Sequence, residues 1–167
     1  KTFKLMSNIN TKSGNAGGLT KIVSKTITVS LSAYTSGDVV GGVQTITDGL
    51  YGAGGTGILQ SVTIIDVDAR SAAFTIDIFS QQPQGTYPDN GAYTLVTADS
   101  AYLIARVSVV AGDYVTAGGK GVATVTSLNI PVFATGTANL YALISTTSTP
   151  TWTATTNLSI VWGILQD

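Results

Sequence analysis

From Ile22 onward the chain alternates apolar and polar residues with a period of two, in short runs that end at Gly, Asp or Pro; no stretch carries a helical period of useful length. Alternation places successive side chains on opposite faces of a strand, so each run reads as a strand with one face buried. The first run sets Val23, Lys25, Ile27, Val29 and Leu31 against Ser24, Thr26, Thr28 and Ser30, with Lys25 the one polar residue on the apolar side. Further strands are predicted over residues 39–47, 58–68, 72–80, 101–110, 122–133, 140–146 and 158–165. In the third, Leu59, Ser61, Thr63, Ile65 and Val67 share a side; in the fourth, Phe74, Ile76 and Ile78 oppose Ala73, Thr75, Asp77 and Phe79. Gly41-Gly42 inside the second run points to a bulge or a close backbone approach. About eight short strands at this spacing imply an all-β fold, a single antiparallel β-sandwich of jelly-roll type. The longest irregular stretch, residues 81–100, is of a length usually functional or mobile.

Residues 1–21 break the pattern and read as an extended arm ahead of a sandwich domain at 22–167. Ser13-Gly14-Asn15-Ala16-Gly17-Gly18 has no side chain large enough to pack. Charge divides at nearly the same place. Lys1, Lys4, Lys12, Lys21 and Lys25 give residues 1–25 a charge of +5, while Arg70, Arg106, Lys120 and all nine Asp leave the remainder at −6. Phe3, Leu5, Met6 and Ile9 add apolar contacts to the arm, so it reads as an anchor for an acidic protein surface. The lysines are dispersed, lack arginine and precede an acidic body, which argues against nucleic acid as the partner. No run of 18 apolar residues is present, so no transmembrane helix and no membrane partner are expected.

The chain has no Cys and no His, and its acids are all Asp. That removes disulfides, thiolate ligands, the commonest general base and the usual partner of a nucleophilic Ser, so no enzyme is expected. Four features could still carry chemistry. Asp66-Val67-Asp68 sets two carboxylates on one face, either half of a Ca²⁺ site or acid pair, or a solvated strand end near Arg70. Asp89-Asn90-Gly91, with Asp99 beyond, is either a Ca²⁺ loop or a turn using positive φ. Gly52, Gly54, Gly55 and Gly57 precede a strand and lack a lysine, which fits a sheet-edge loop better than a phosphate loop. The aromatics Tyr34, Tyr51, Tyr87, Tyr93, Tyr102, Tyr114, Tyr141, Trp152 and Trp162 suit interfaces or glycan faces. Of these, Tyr141 and Trp162 lie in strands and read as packing, whereas Trp152, Tyr87 and Tyr51 are candidate exposed contacts. No cofactor and no metal are expected.

Several segments carry a family resemblance. They are Ala138-Asn139-Leu140-Tyr141-Ala142-Leu143-Ile144, Thr149-Pro150-Thr151-Trp152-Thr153, Leu158 through Gln166-Asp167, and Val39-Val40-Gly41-Gly42. With them go Gln60-Ser61-Val62 followed by Asp66, and Pro88-Asp89-Asn90 followed by Ala98-Asp99. Over residues 26–167 the chain resembles small structural proteins of tailed bacteriophages that decorate or cement the capsid; the arm is outside the resemblance. The resemblance implies a virion component at the capsid surface, a homo-oligomer with a trimer favoured, bound to the major capsid protein. Two other functions stay open from the residues alone: an adhesion or glycan-binding module using Tyr and Trp, and a hydrolase of unusual chemistry using paired Asp.

Overall fold

The computed structural model describes residues 19–167. Its ten strands are β1 (Leu19–Ile27), β2 (Val39–Ile46), β3 (Thr56–Asp66), β4 (Phe74–Phe79), β5 (Leu103–Val109), β6 (Tyr114–Ala117), β7 (Lys120–Val125), β8 (Ile130–Phe133), β9 (Leu140–Thr146) and β10 (Leu158–Gln166). One sheet runs β1-β10-β3-β7-β6, with β8 also paired to β3; the other runs β2-β9-β4-β5. All pairings are antiparallel.

The pairing is nested. β1 pairs β10, β2 pairs β9, β3 pairs β7 and β8, and β4 pairs β5. The chain is thus one double ribbon, folded back at the β4–β5 connection. Rolling that ribbon so that successive pairs fall in alternate sheets brings β10 beside β3 and β9 beside β4. This is a jelly roll. Its core lies between the sheets and holds Ile27, Ile46, Val62, Ile64, Phe74, Ile76, Ile144, Ile160 and Trp162, all essentially inaccessible to solvent.

Several expectations are corrected. The first strand starts at Leu19 and stops at Ile27, so residues 19–21, including Lys21, belong to the sheet and not to an arm. Lys21 pairs with Ile164. Leu31 is 54% exposed, because the chain has already left the sheet. The third strand changes phase. Ser61 lies opposite Gly163 but Leu59 lies opposite Ile164, so Gln60 is an extra residue. Leu59, Val62, Ile64 and Asp66 therefore point inward, and Leu59 does not share a face with Ser61 and Ile65. The same bulge splits the expected strand 122–133 into β7 and β8. Between them Ser127 and Asn129 are left-handed (φ 57° and 50°), and the Leu128 N–H donates to the Gln60 carbonyl. β6 is a strand that the alternation does not announce. It forms a hairpin with β7 through Gly118-Gly119, both at positive φ, the geometry that matches strand twist in a two-residue loop. The Gly41-Gly42 bulge is present, with both residues at positive φ and the β2–β9 register broken beside them.

The connection between β4 and β5 is not loose. It crosses the outer face of the four-stranded sheet, where Tyr87 packs with Val39, Phe79, Tyr141 and Leu143 in a second core, flanked by Tyr93, Leu95 and Tyr102. It also contains one helical turn, α1 (Thr97–Ser100). β4 is consequently covered on both sides, which is why Phe74 and Ile78 are buried and so are Asp77 and Phe79 on the opposite face.

Candidate functional site

The carboxylates that suggest chemistry in the sequence are engaged by the loops around them. Asp66, at the end of β3, has no solvent exposure. It accepts the Trp152 Nε1–H at 3.2 Å, the Arg70 N–H at 2.7 Å and the Asp68 N–H at 3.1 Å. Burial raises its pKa, and these hydrogen bonds oppose the rise. It is a buried staple, not a solvated strand end. Asp68 turns elsewhere and accepts from Thr153 N (2.7 Å), Thr153 Oγ1 (2.8 Å) and Asn157 Nδ2 (2.9 Å). Burial acts to raise its pKa, but those three hydrogen bonds and the nearby Arg70 charge outweigh it and hold the carboxyl low. The two acids tie the β3–β4 and β9–β10 loops together by separate bonds and form no shared ligand set.

Asp89 accepts from Tyr34 Oη and from Gly41 N, each at 2.6 Å, while Asn90 takes a left-handed φ of 58°. This is the turn alternative. Asp99, fully buried in α1, accepts from Gln84 N (2.8 Å), Gly85 N (2.9 Å) and Tyr87 Oη (2.7 Å). Burial pushes its pKa up, yet these donors together bring it below the ordinary carboxylate range. Asp77, fully buried on the outer face of β4, meets Arg106 through Nε at 2.6 Å and Nη2 at 2.7 Å, and accepts from Tyr93 Oη at 2.7 Å. Neither acid can be matched with its partners from the sequence, because strap and strand meet only in the folded chain. Among the described residues, no group of three acidic side chains is placed to hold a metal ion, and no helix is long and apolar enough to cross a membrane.

Two of the three expected aromatic contacts are corrected. Trp152 is 2% exposed: its ring lies edge-on to Tyr34 at 5.3 Å and stacked over Phe74 at 6.4 Å. Its N–H needs a partner when buried, and Asp66 supplies one. Tyr87 is buried in the strap with its hydroxyl on Asp99. Tyr51 is 62% exposed in the β2–β3 loop. Lys1, Phe3, Lys4, Leu5, Met6, Ile9 and Lys12 lie outside the described residues.

The site that the fold does create is the outer face of the six-stranded sheet. Strand register aligns its side chains in four rows. Thr26, Ser159, Ile65, Val122 and Val115 form one; Ser24, Val161, Thr63 and Thr124 the next. Ile22, Gly163 and Ser61 form a third, and Thr20, Leu165, Ile58 and Pro131 a fourth. The hydroxyl pairs Thr26–Ser159 (3.3 Å) and Thr63–Thr124 (3.1 Å) bridge neighbouring strands along these rows. At Gly163 an added Cβ would lie 2.5 Å from Ser61 Oγ, so the backbone there is closely approached by its neighbour. No row holds a charged residue; Lys120 stands at the hairpin rim and Asp167 at the opposite one. Ile22 and Val115 are 60% and 67% exposed. The other sheet's outer face is covered by the strap over β2, β9 and β4, with Arg106 and Ser108 of β5 left exposed, whereas none of the described residues forms a second core over this one. No protein-family model matches the chain, and no curated protein matches it.

Proposed function

We propose that the chain is a non-enzymatic structural protein of a virus particle, which binds the outer surface of a tailed-phage capsid lattice and stabilises it. The observation that carries this reading is the contrast between the two sheets. One outer face is largely covered by residues 80–102 of the chain itself, while the other is β-branched, hydroxyl-bearing and free of charge. Depletion of charge is what marks the centre of protein interfaces. Buried acids committed to loop backbone support a role without catalysis. The resemblance of residues 26–167 to capsid-decorating proteins supplies the partner, the major capsid protein.

Strands about 4.8 Å apart and rows about 7 Å apart make this face roughly 20 by 25 Å, about 500 Å². That is less than the roughly 800 Å² per partner of a standard stable interface. A face of this size needs help from multivalency, which fits a homo-oligomer, a trimer in our reading, on a repeating lattice, assisted by the lysine-bearing residues 1–18.

The test is co-sedimentation with phage heads lacking the protein, using the full chain, a form beginning at Leu19, and Thr63→Lys. Binding by the full chain and a loss of at least roughly tenfold in Thr63→Lys is the expected result, since a lysine buried without a partner is costly. Full binding by Thr63→Lys moves the contact off the sheet, and no binding by any form overturns the lattice role.

A further inference from the structure

At one end of the sandwich the β3–β4 and β9–β10 loops enclose an open cleft of about 340 Å³, lined by Arg70, Ser71, Ser148, Thr149, Pro150 and Thr151. Its construction is costly to the backbone. Ala69 and Ser71, on either side of Arg70, both sit in the left-handed region, at φ 52° and 50°. Such conformations in residues other than Gly persist only where surrounding structure enforces them. Here Asp66 enforces it, taking the Arg70 N–H, while Trp152 beneath fixes Asp66 in turn. Arg70 is thus tied at its backbone to Asp66, and its exposed side chain lines the cleft. Among the described residues the guanidinium has no hydrogen-bond or ion-pair partner, unlike that of Arg106. Ser148 Oγ is engaged with Thr146 and the Ala73 N–H. The hydroxyls of Ser71, Thr149 and Thr151 have no such bonds among the described residues.

We propose that this cleft binds the carboxylate of an acidic sugar. A guanidinium is a planar fork that matches a carboxylate in two parallel hydrogen bonds. Three hydroxyls that both donate and accept suit the ring hydroxyls of a saccharide. The Asp68 carboxylate lies close enough to feel the Arg70 charge and repels any carboxylate placed there, so the contact with Arg70 alone binds weakly. The ligand must therefore draw on the hydroxyls as well. The cleft volume falls in the range of small-molecule sites. It lies on the end loops and not on the charge-free sheet face, so the site does not depend on the lattice reading.

The test is titration of the full, isotope-labelled chain with sodium glucuronate, followed by amide correlation spectra, with methyl glucoside and sodium acetate as controls. Saturable shifts centred on Arg70, Ser71, Thr149 and Thr151 are expected with glucuronate, and affinity at least roughly tenfold weaker for methyl glucoside, which lacks the charge-assisted pair, and for acetate, which lacks the ring hydroxyls. Arg70→Gln, at an exposed side chain without hydrogen bonds, keeps the spectrum of the folded chain and loses binding by about tenfold or more; Thr149→Ala weakens it several-fold. No saturable shift with glucuronate, equal binding of acetate, or unchanged binding in Arg70→Gln would each overturn the proposal.

Discussion

At the residue scale, the chain uses its Asp residues as internal fasteners. The Trp152–Asp66 bond can be isolated by comparison with Trp162, whose indole N–H is buried without a partner among the described residues. Both rings are essentially inaccessible, so Trp→Phe removes similar volume at each. Trp152→Phe also deprives a buried carboxylate of a donor, a loss of about 2 kcal/mol. Urea unfolding should therefore show Trp152→Phe less stable than Trp162→Phe by about that amount; equal losses would show that the bond contributes nothing. Asp99 gives a pH prediction. Its folded pKa is depressed, so the unfolded chain takes up the proton more readily. Its contribution is complete above the unfolded value of about 4 and is lost as pH falls through the lower folded value. Asp66, with its pKa raised by burial, runs the other way and becomes less of a burden on acidification. Asp99→Asn should flatten the acid limb of stability against pH below about 5; an unchanged limb would place the acid sensitivity elsewhere.

At the scale of elements, the strap over the four-stranded sheet depends on Asp77. Arg106 is partly exposed, but the acid it pairs with is not. Arg106→Ala leaves a buried carboxylate with Tyr93 as its remaining side-chain donor, at a cost of about 2–3 kcal/mol. Hydrogen exchange should locate the effect, with faster exchange over residues 84–95 than in β9; uniform acceleration would mean that the strap is no separate unit. The bulge in β2 gives a contrast between glycines. Gly41 has φ 74°, and a Cβ there would run into the Ile27 side chain; Gly37, at φ 97°, has nothing within 4 Å. Gly41→Ala should cost about 2–4 kcal/mol, strain and overpacking together, and Gly37→Ala about 1–2 from strain alone. Equal costs in thermal or urea unfolding would show that the close approach at Ile27 is relieved by repacking.

At the scale of the whole molecule, the two proposed lattice contacts differ in their physics. A charge-free sheet face binds with little dependence on ionic strength, whereas lysine contacts are screened as the Debye length falls from about 10 Å at 0.1 M to about 3 Å at 1 M salt. Head binding by the full chain should weaken with salt, while any residual binding by the form beginning at Leu19 should not. Equal salt dependence in the two would remove the lysines of residues 1–18 from the contact. The two ends of the molecule also differ in what they carry. Leu19 pairs with Gln166 at the end where the β2–β3 loop carries Tyr51. The Arg70 cleft lies at the other, where the β1–β2, β3–β4 and β9–β10 loops meet through bonds such as Tyr34 N to Pro150 O.

The sequence by itself determined the all-β class, most strand positions and the irregularity at Gly41-Gly42, because period-two alternation and turn residues are local properties of a strand half-buried in a sheet; the jelly-roll order was expected from it but decided by the pairing. The phase of β3 was not legible, since Gln60 is ordinary in composition and becomes a bulge only through its pairing with β10 and its bond to Leu128. Trp152 and Tyr87 read as exposed because they sit among Thr, Pro and Gly; their burial was decided by Asp66 and Asp99, distant in sequence or hidden in a loop. The charge-free outer face was likewise half-written in the sequence. The uncharged residues of each strand are visible singly, but only register sets Ile22 beside Gly163 and Thr63 beside Thr124 on one side of one sheet. Strand pairing and loop closure join residues far apart in the chain, and a local pattern holds no record of that choice.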